Sequence, residues 1–324
     1  MYTLAEAQQL IEKHIETLSI PDEPAGLYDP VRYVLSLGGK RIRPALMLLA
    51  CELYSGGVES ALMPAMAIEI FHNFTLLHDD IMDRSDMRRG HPAVHIKYGE
   101  NVALLSGDVM SILASRLINK APGVVLSSVH DVFTHTAMQV CEGQQLDMNF
   151  ESELTVSEEE YMEMIELKTA VLIAASLKIG AILGGASQVE ANELYDYGRN
   201  LGLAFQLQDD LLDTYGDEQK TGKKRGTDIV DNKKTFLMIN ALERADAQQR
   251  ERLEFWLKST RFDRHEKVAE VTRIYDELGI RALAGERIKD YYNKAIENLK
   301  HLGRPEECKQ ELYQFAAYLM GRDY

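Results

Sequence analysis

Residues 71–90 read FHNFTLLHDDIMDRSDMRRG. From Ala65 to Met82 the apolar residues recur at helical spacing, so this stretch is the end of a largely buried helix. Asp79, Asp80 and Asp83 fall within one turn of it, and Arg88 and Arg89 follow. Like charges three and four residues apart on a helix repel by about 0.2–0.5 kcal/mol per pair. A polar helix face has no need of such crowding, so the arrangement calls for a cation. A second stretch, AFQLQDDLLDTYGD at 204–217, repeats the DDxxD spacing with Asp209, Asp210 and Asp213. It too closes an apolar helical run and leads into basic residues, Lys220, Lys223, Lys224 and Arg225. One DDxxD is a weak signal; two of them, each ending a buried helix and each trailed by cations, are a site.

The rest of the chain has the patterning of an all-α protein. All eight prolines lie at or before Pro122 except Pro305, which leaves a long interval free of helix breakers. Apolar residues recur at helical spacing over 45–54, 65–82, 124–148, 161–183 and 194–214. Asn-Gly and Asp-Gly hairpin signals between alternating runs are absent. Pro44 and Pro122 suit helix first turns, and Ser157 before Glu158–Glu160 suits an N-cap. Loops are expected at 36–43 (SLGGKRIR), 84–95 and 216–234. No Pro/Gly/Ser-rich linker divides the chain, so residues 1–324 are expected to form one domain, with packing helices from about residue 240.

Composition narrows the function. Lys plus Arg is 36 and Asp plus Glu is 51, a formal net charge of −15. That surface argues against a nucleic-acid partner while allowing a small anion in a local basic cluster. Cys51, Cys141 and Cys308 form no CxxC pair, so the expectation is reduced thiols in a cytoplasmic protein. The first residues carry Glu6, Glu12 and Glu16 and do not read as a signal peptide. The most apolar stretch, 169–186, is short for a membrane span and contains Lys178, so no span is expected.

Carboxylate oxygens are hard ligands suited to Mg²⁺, which takes one or two carboxylates plus waters and phosphate oxygens. If the two helices face each other, their aspartates would clamp metal from opposite sides, and the neighbouring Arg and Lys would bind phosphate. A di-iron bundle would require two Glu-x-x-His motifs. Only Glu69-Ile70-Phe71-His72 is present, so that reading fails on count.

With these motifs in order, the sequence resembles the trans-isoprenyl diphosphate synthases, the polyprenyl synthetase family that includes farnesyl and geranylgeranyl diphosphate synthases. The resemblance runs from about Ser36 to about Lys234. It is carried by GGKRIRP at 38–44, HDDIMD at 78–83, RRG at 88–90, GQQLD at 143–147, KT at 168–169, FQLQDDLLD at 205–213, GKKRGTDI at 222–229 and NKKT at 232–235. It implies a single large helical bundle around a central active-site cavity, and head-to-tail condensation of isopentenyl diphosphate with an allylic diphosphate. It further implies that Asp79, Asp83 and Asp209 hold Mg²⁺, three ions per site, with Asp80, Asp210 and Asp213 in support. Arg88, Lys168, Lys223 and Lys233 would bind the allylic diphosphate. Lys40, Arg43, His72 and Arg89 would bind isopentenyl diphosphate. Thr169 and Gln206 would stand beside the carbocation, and the chain would form a homodimer.

By the same resemblance, product length is set beneath the first DDxxD. Phe74 stands five residues before Asp79, where a large residue resembles synthases making fifteen- or twenty-carbon products. A helical wheel instead places Phe71 and Thr75 more directly beneath Asp79. Two rival functions remain: a class I terpene cyclase, which has no need of the isopentenyl residues, and a non-catalytic regulatory subunit, which has no need of two metal clamps.

Overall fold

The computed structural model describes residues 1–55, 57–153, 155–217 and 225–321. Its helices in chain order are α1 (Leu4–Glu16), α2 (Ala25–Ser36), α3 (Ile42–Ser55), α4 (Leu62–Met82), α5 (Val94–Tyr98), α6 (Glu100–Ile118), α7 (Leu126–Ser152) and α8 (Glu158–Ile165). After a π-helical turn at Glu166–Ala170 come α9 (Val171–Gly184), α10 (Gln188–Tyr215), α11 (Thr227–Val230), α12 (Phe236–Arg244), α13 (Ala247–Lys258), α14 (Arg264–Glu277), α15 (Ile280–His301) and α16 (Glu306–Met320). The fold is all-α, as its sequence periodicity predicts. Two compact units are distinguished: Met1–His135 with Ala175–Tyr195 and Gly303–Leu312, and Thr136–Ala174 with Asp196–Leu302 and Tyr313–Tyr324.

In the first unit, α3 is buried from Pro44 through Cys51, and α4 from Pro64 through Phe71. α9 approaches α3 closely through two glycines four residues apart. A Cβ at Gly180 would lie 2.2 Å from the Met47 carbonyl oxygen, and one at Gly184 would lie 2.4 Å from that of Cys51. α6 packs along α4, where the same test puts a Gly107 Cβ 2.2 Å from His78 Nε2. In the second unit, Leu203, Leu207 and Leu211 of α10 share a core with Phe236–Ile239 of α12, Val271, Ile274 and Tyr275 of α14, and Ile288 of α15.

Several local expectations are corrected. The stretch 84–95 contains a minimal antiparallel ladder, Met87–Arg88 with His91–Pro92. Its two-residue turn is Arg89-Gly90, φ 53° and 78°, the positive pair that a type I′ turn requires. Arg stands where Asn or Asp gives the usual signal, so the sequence does not announce this turn. The stretch 161–183 is interrupted by the π turn. Pro122 lies ahead of α7 rather than in its first turn, whereas Pro44 does sit in the first turn of α3. The stretch 216–234 contains the short helix α11. Ser157 caps α8 as expected, with Glu160 closing a capping box.

Three helical stretches, Glu59–Met82, Glu100–Ile118 and Glu158–Gly184, are long and apolar enough to cross a membrane by length and composition alone. The apolar run 169–186 covers only part of the third. Cys51 is buried, Cys141 exposed and Cys308 half-buried, all three as free thiols.

Candidate active site

α4 ends at the first aspartate cluster through a Schellman motif. Asp83 is the C-cap, Arg84 takes φ 54°, its N–H donates to Ile81 O at 3.2 Å, and Ser85 N–H donates to Asp80 O at 2.9 Å. The chain then turns through the small hairpin and brings Arg88 back onto the cluster. Arg88 Nε donates to both oxygens of the buried Asp80, at 3.0 and 3.2 Å, while Nη2 lies 2.5 Å from Asp80 Oδ1 and 3.6 Å from Asp79 Oδ2. The crowding visible in the sequence is thus relieved first by a residue of the chain itself. Burial pushes the Asp80 carboxyl up from its ordinary value, and Arg88 opposes that shift.

A second basic group lies two turns earlier on α4, around His72. Arg43, in the first turn of α3, places Nη1 3.2 Å from His72 Nε2. A guanidinium can only donate, so Nε2 is the acceptor and His72 carries its proton on Nδ1. Burial, and then Arg43, Arg89, Arg88 and Arg41 in turn, hold His72 well below the usual histidine range, so it is neutral. Burial and Arg89 also bring Arg43 down to about 10. Arg43 Nε is buried and without an acceptor among the described residues. Arg89 donates to Gly38 O and, at 3.4 Å, to Asn73 Oδ1. Lys40 is exposed on the loop that joins α2 to α3. Arg43, His72 and Arg89, separated in sequence, come together as one group suited to an anion.

Three residues that sequence reading gave no role support this group. Arg41, buried, bonds Glu69 Oε1 at 2.6 Å, Glu12 Oε2 at 2.7 Å and Leu35 O at 2.9 Å. The signal for Glu69 was a lone carboxylate within an otherwise apolar helical face; it was noticed only as half of an incomplete di-iron motif.

The second aspartate cluster sits near the end of α10. Asp210 is buried and both its oxygens are engaged: Tyr161 OH donates to Oδ2, and Gln206 Nε2 donates to Oδ1 at 3.2 Å. Burial pushes the Asp210 carboxyl up to about 7. Gln206 Oε1 accepts from Thr169 Oγ1 at 3.1 Å, which brings together the two residues expected beside the carbocation. Asp213 Oδ2 accepts Asp228 N–H at 3.0 Å and so fixes the start of α11.

Lys168 and Thr169 are presented by the π turn, a device frequent at functional sites. It is held from two sides by glycines: a Cβ at Gly143 would lie 2.3 Å from Lys168 N, and one at Gly202 would lie 2.6 Å from Ala170 Cα. Lys168 Nζ bonds Asp147 Oδ2 at 2.7 Å, and Lys233 Nζ lies 3.8 Å from the same oxygen. Two of the expected diphosphate ligands therefore converge on Asp147, the last residue of GQQLD. Adjacent Lys234 turns away, to Phe150 O at 3.3 Å. Lys223, with Lys220 and Lys224, lies outside the described residues, as do Arg322, Asp323 and Tyr324.

The aspartates fit Mg²⁺ by donor chemistry. Asp79 and Asp209 remain partly accessible at helix ends. Among the described residues no three acidic, histidine or cysteine side chains converge to hold a metal unaided.

On the turns of α4 before the first cluster, the Phe74 ring is tilted by 56° to that of Phe71 with centroids 5.4 Å apart, and Phe71 meets Phe133 of α7 edge-on at 5.5 Å. Phe74 also lies edge-on to His78 at 4.8 Å. Thr75 donates to His72 O at 2.8 Å. Phe71 and Phe74 are thus in contact with each other, and Phe133 joins them through Phe71.

The polyprenyl synthetase family model matches residues 24–278. This chain belongs to the polyprenyl synthetase family. Membership makes it a prenyltransferase. It is 41% identical over 324 residues to a geranylgeranyl diphosphate synthase of Methanosarcina mazei, covering 97% of this chain and 95% of that protein. It is 40% identical to a short chain isoprenyl diphosphate synthase of Methanothermobacter thermautotrophicus, covering 99% and 100%. A crystal structure of a geranylgeranyl pyrophosphate synthase superposes with a TM-score of 0.95 at 42% identity, covering all of both chains.

Proposed function

We propose that this chain condenses isopentenyl diphosphate with dimethylallyl, geranyl or farnesyl diphosphate, in a Mg²⁺-dependent reaction that stops at fifteen or twenty carbons. The observation that carries this reading is the group formed by Arg43, neutral His72 and Arg89. A terpene cyclase has only one diphosphate to bind and no use for it. A regulatory subunit would have no use for the arrangement of Lys168, Thr169 and Gln206 on Asp147 and Asp210.

Bound Mg²⁺, up to three ions, would stabilise the leaving diphosphate as its charge develops. Asp79, Asp83 and Asp209 are the residues proposed to hold it, with Asp80, Asp210 and Asp213 positioning them. Arg88, Lys168, Lys223 and Lys233 are proposed to take the allylic diphosphate. For Arg88 this means exchanging part of its pairing with Asp80 for phosphate oxygens, and for Lys168 part of its pairing with Asp147. Lys40, Arg43, His72 and Arg89 are proposed to hold the isopentenyl diphosphate. The allylic C–O bond breaks, the isopentenyl double bond attacks the resulting cation to form the new C–C bond, and a proton is lost. Thr169 Oγ1 and Gln206 Oε1 present oxygen dipoles to the cation. Released diphosphate is the proposed proton acceptor. The cluster of Phe71, Phe74 and Phe133 is proposed to block further growth.

Leu104, Leu105 and Ile112 are exposed on α6, with Leu105 and Ile112 seven residues apart on one face, which supports a homodimer. We further propose that residues 1–324 act as one catalytic domain, in the cytoplasm, without a membrane span and without a nucleic-acid partner. Turnover of geranyl diphosphate with and without isopentenyl diphosphate tests the reading. A synthase releases diphosphate only when both are present, whereas a cyclase releases it from geranyl diphosphate alone.

A further inference from the structure

The bridge through Arg41 is chemically out of proportion to any role in stability. Arg41 has side-chain exposure of 1% and Glu69 of 3%, so both charges have been taken out of water. Replacing such a buried pair by well-packed apolar residues is often neutral or stabilising. Arg41 also adopts φ 45°, a left-handed conformation that disfavours any residue with a Cβ. What the bridge does is tie together the separate segments that carry the isopentenyl-binding residues. Arg41 lies between Lys40 and Arg43. Glu69 lies one turn before His72, and its Oε1 also accepts from Asn73 Nδ2 at 3.0 Å. Asn73 Oδ1 in turn accepts from Arg89 at 3.4 Å, and Arg89 donates back to Gly38 O. Gly39, at φ 146°, leaves room for the Arg89 guanidinium, which a Cβ there would meet at 3.0 Å. From the other end α1 joins in: Glu12 bonds Arg41, and Gln8 Nε2 donates to Lys40 O at 2.5 Å. Glu69 is also the carboxylate whose charge opposes the desolvation of both Arg43 and Arg89.

We propose that Glu12, Arg41 and Glu69 are positioning residues for isopentenyl diphosphate: a buried bridge that fixes Arg43, His72 and Arg89 in the geometry that binds its diphosphate, with α1 as its outer support. The inference rests on the substrate assignment under Proposed function.

The test compares wild type with Glu69→Gln, Arg41→Lys and Glu12→Gln. Steady-state rates are measured with geranyl diphosphate and isopentenyl diphosphate, each varied in turn. Calorimetry separately measures isopentenyl diphosphate binding without the allylic substrate, which is readable without turnover. Glu69→Gln is expected to raise both KM and Kd for isopentenyl diphosphate about tenfold, as loss of a charge-assisted hydrogen bond would. KM for geranyl diphosphate stays within about twofold. Arg41→Lys shows the same split, because a point charge cannot replace the planar fork that spans Glu12 and Glu69. Glu12→Gln, on a carboxylate 40% exposed, keeps the fold and raises the isopentenyl KM by a smaller factor of about three. A purely structural bridge would instead lower both affinities and kcat together, and that result overturns the proposal. So does an unchanged isopentenyl KM in Glu12→Gln, which decides the matter if the buried variants do not fold. A wild type that binds isopentenyl diphosphate in the calorimeter but never elongates a primer counts against the proposed reaction and leaves the bridge test intact.

Discussion

Gly143→Ala is the substitution that probes the π turn most directly. Gly143 lies in the interior of α7, where alanine is favoured over glycine by about 1 kcal/mol. Propensity alone therefore predicts a more stable protein. The structure predicts the reverse. The added Cβ would meet Lys168 N at 2.3 Å, Leu167 C at 2.7 Å and Lys168 Cα at 2.8 Å, all of them backbone atoms with no rotamer to yield. Opening the closest contact to an ordinary 3.4 Å moves the π turn by about 1 Å. Overpacking typically costs 1–3 kcal/mol, and a backbone obstacle lies at the upper end. The net loss is about 1–2 kcal/mol in denaturant unfolding. Activity suffers more, because Lys168 and Thr169 ride on the displaced backbone. A misplacement of about 1 Å lowers rate by about a hundredfold. Initial rates from incorporation of labelled isopentenyl diphosphate measure this loss. Gly285→Ala is the control: it too is helical, with nothing within 4 Å of its Cβ, so it gains about 0.5–1 kcal/mol and keeps kcat. A Gly143→Ala enzyme with wild-type stability and rate would show that the backbone contact at Gly143 does not hold the π turn.

Three further outcomes are expected. Phe74→Ala opens the aromatic stack and lengthens the product, read by chromatography; unchanged chain length would show that the stack is not the floor. Arg84→Gly relieves a left-handed residue at the α4 C-terminus and raises stability by about 1 kcal/mol in denaturant unfolding, with kcat retained. His72 is neutral when folded but takes up a proton when unfolded, near the ordinary value of 6.5. Its contribution to stability is therefore present above about pH 6.5 and is lost as pH falls below it. Unfolding free energies across pH 5–8 should accordingly be flatter for His72→Gln than for wild type.

The helices and the aspartate clusters were legible because both are written locally, in spacing along one chain segment. What supports them was not. Asp147 appeared in a quoted motif without a role, and only the fold shows Lys168 and Lys233 meeting on it. Tyr161 reads as a core aromatic until its hydroxyl is seen on Asp210. The π turn carries no residue signature; Gly143 and Gly202, which leave room for its backbone, are distant in sequence and meaningful only where another backbone approaches. Arg88 was read as a ligand for substrate, and the structure adds that it neutralises Asp80. The Arg89-Gly90 turn lacked the Asn or Asp that usually announces it. Phe133 could not be associated with Phe71 from sequence, because stacking across helices leaves no periodic trace.

Condensation itself is read by incubating purified protein with Mg²⁺, labelled isopentenyl diphosphate and, separately, dimethylallyl, geranyl and farnesyl diphosphates, and sizing the products. Mg²⁺-dependent elongation ending at fifteen or twenty carbons is expected. Folded protein that incorporates no isopentenyl diphosphate with any primer would contradict it.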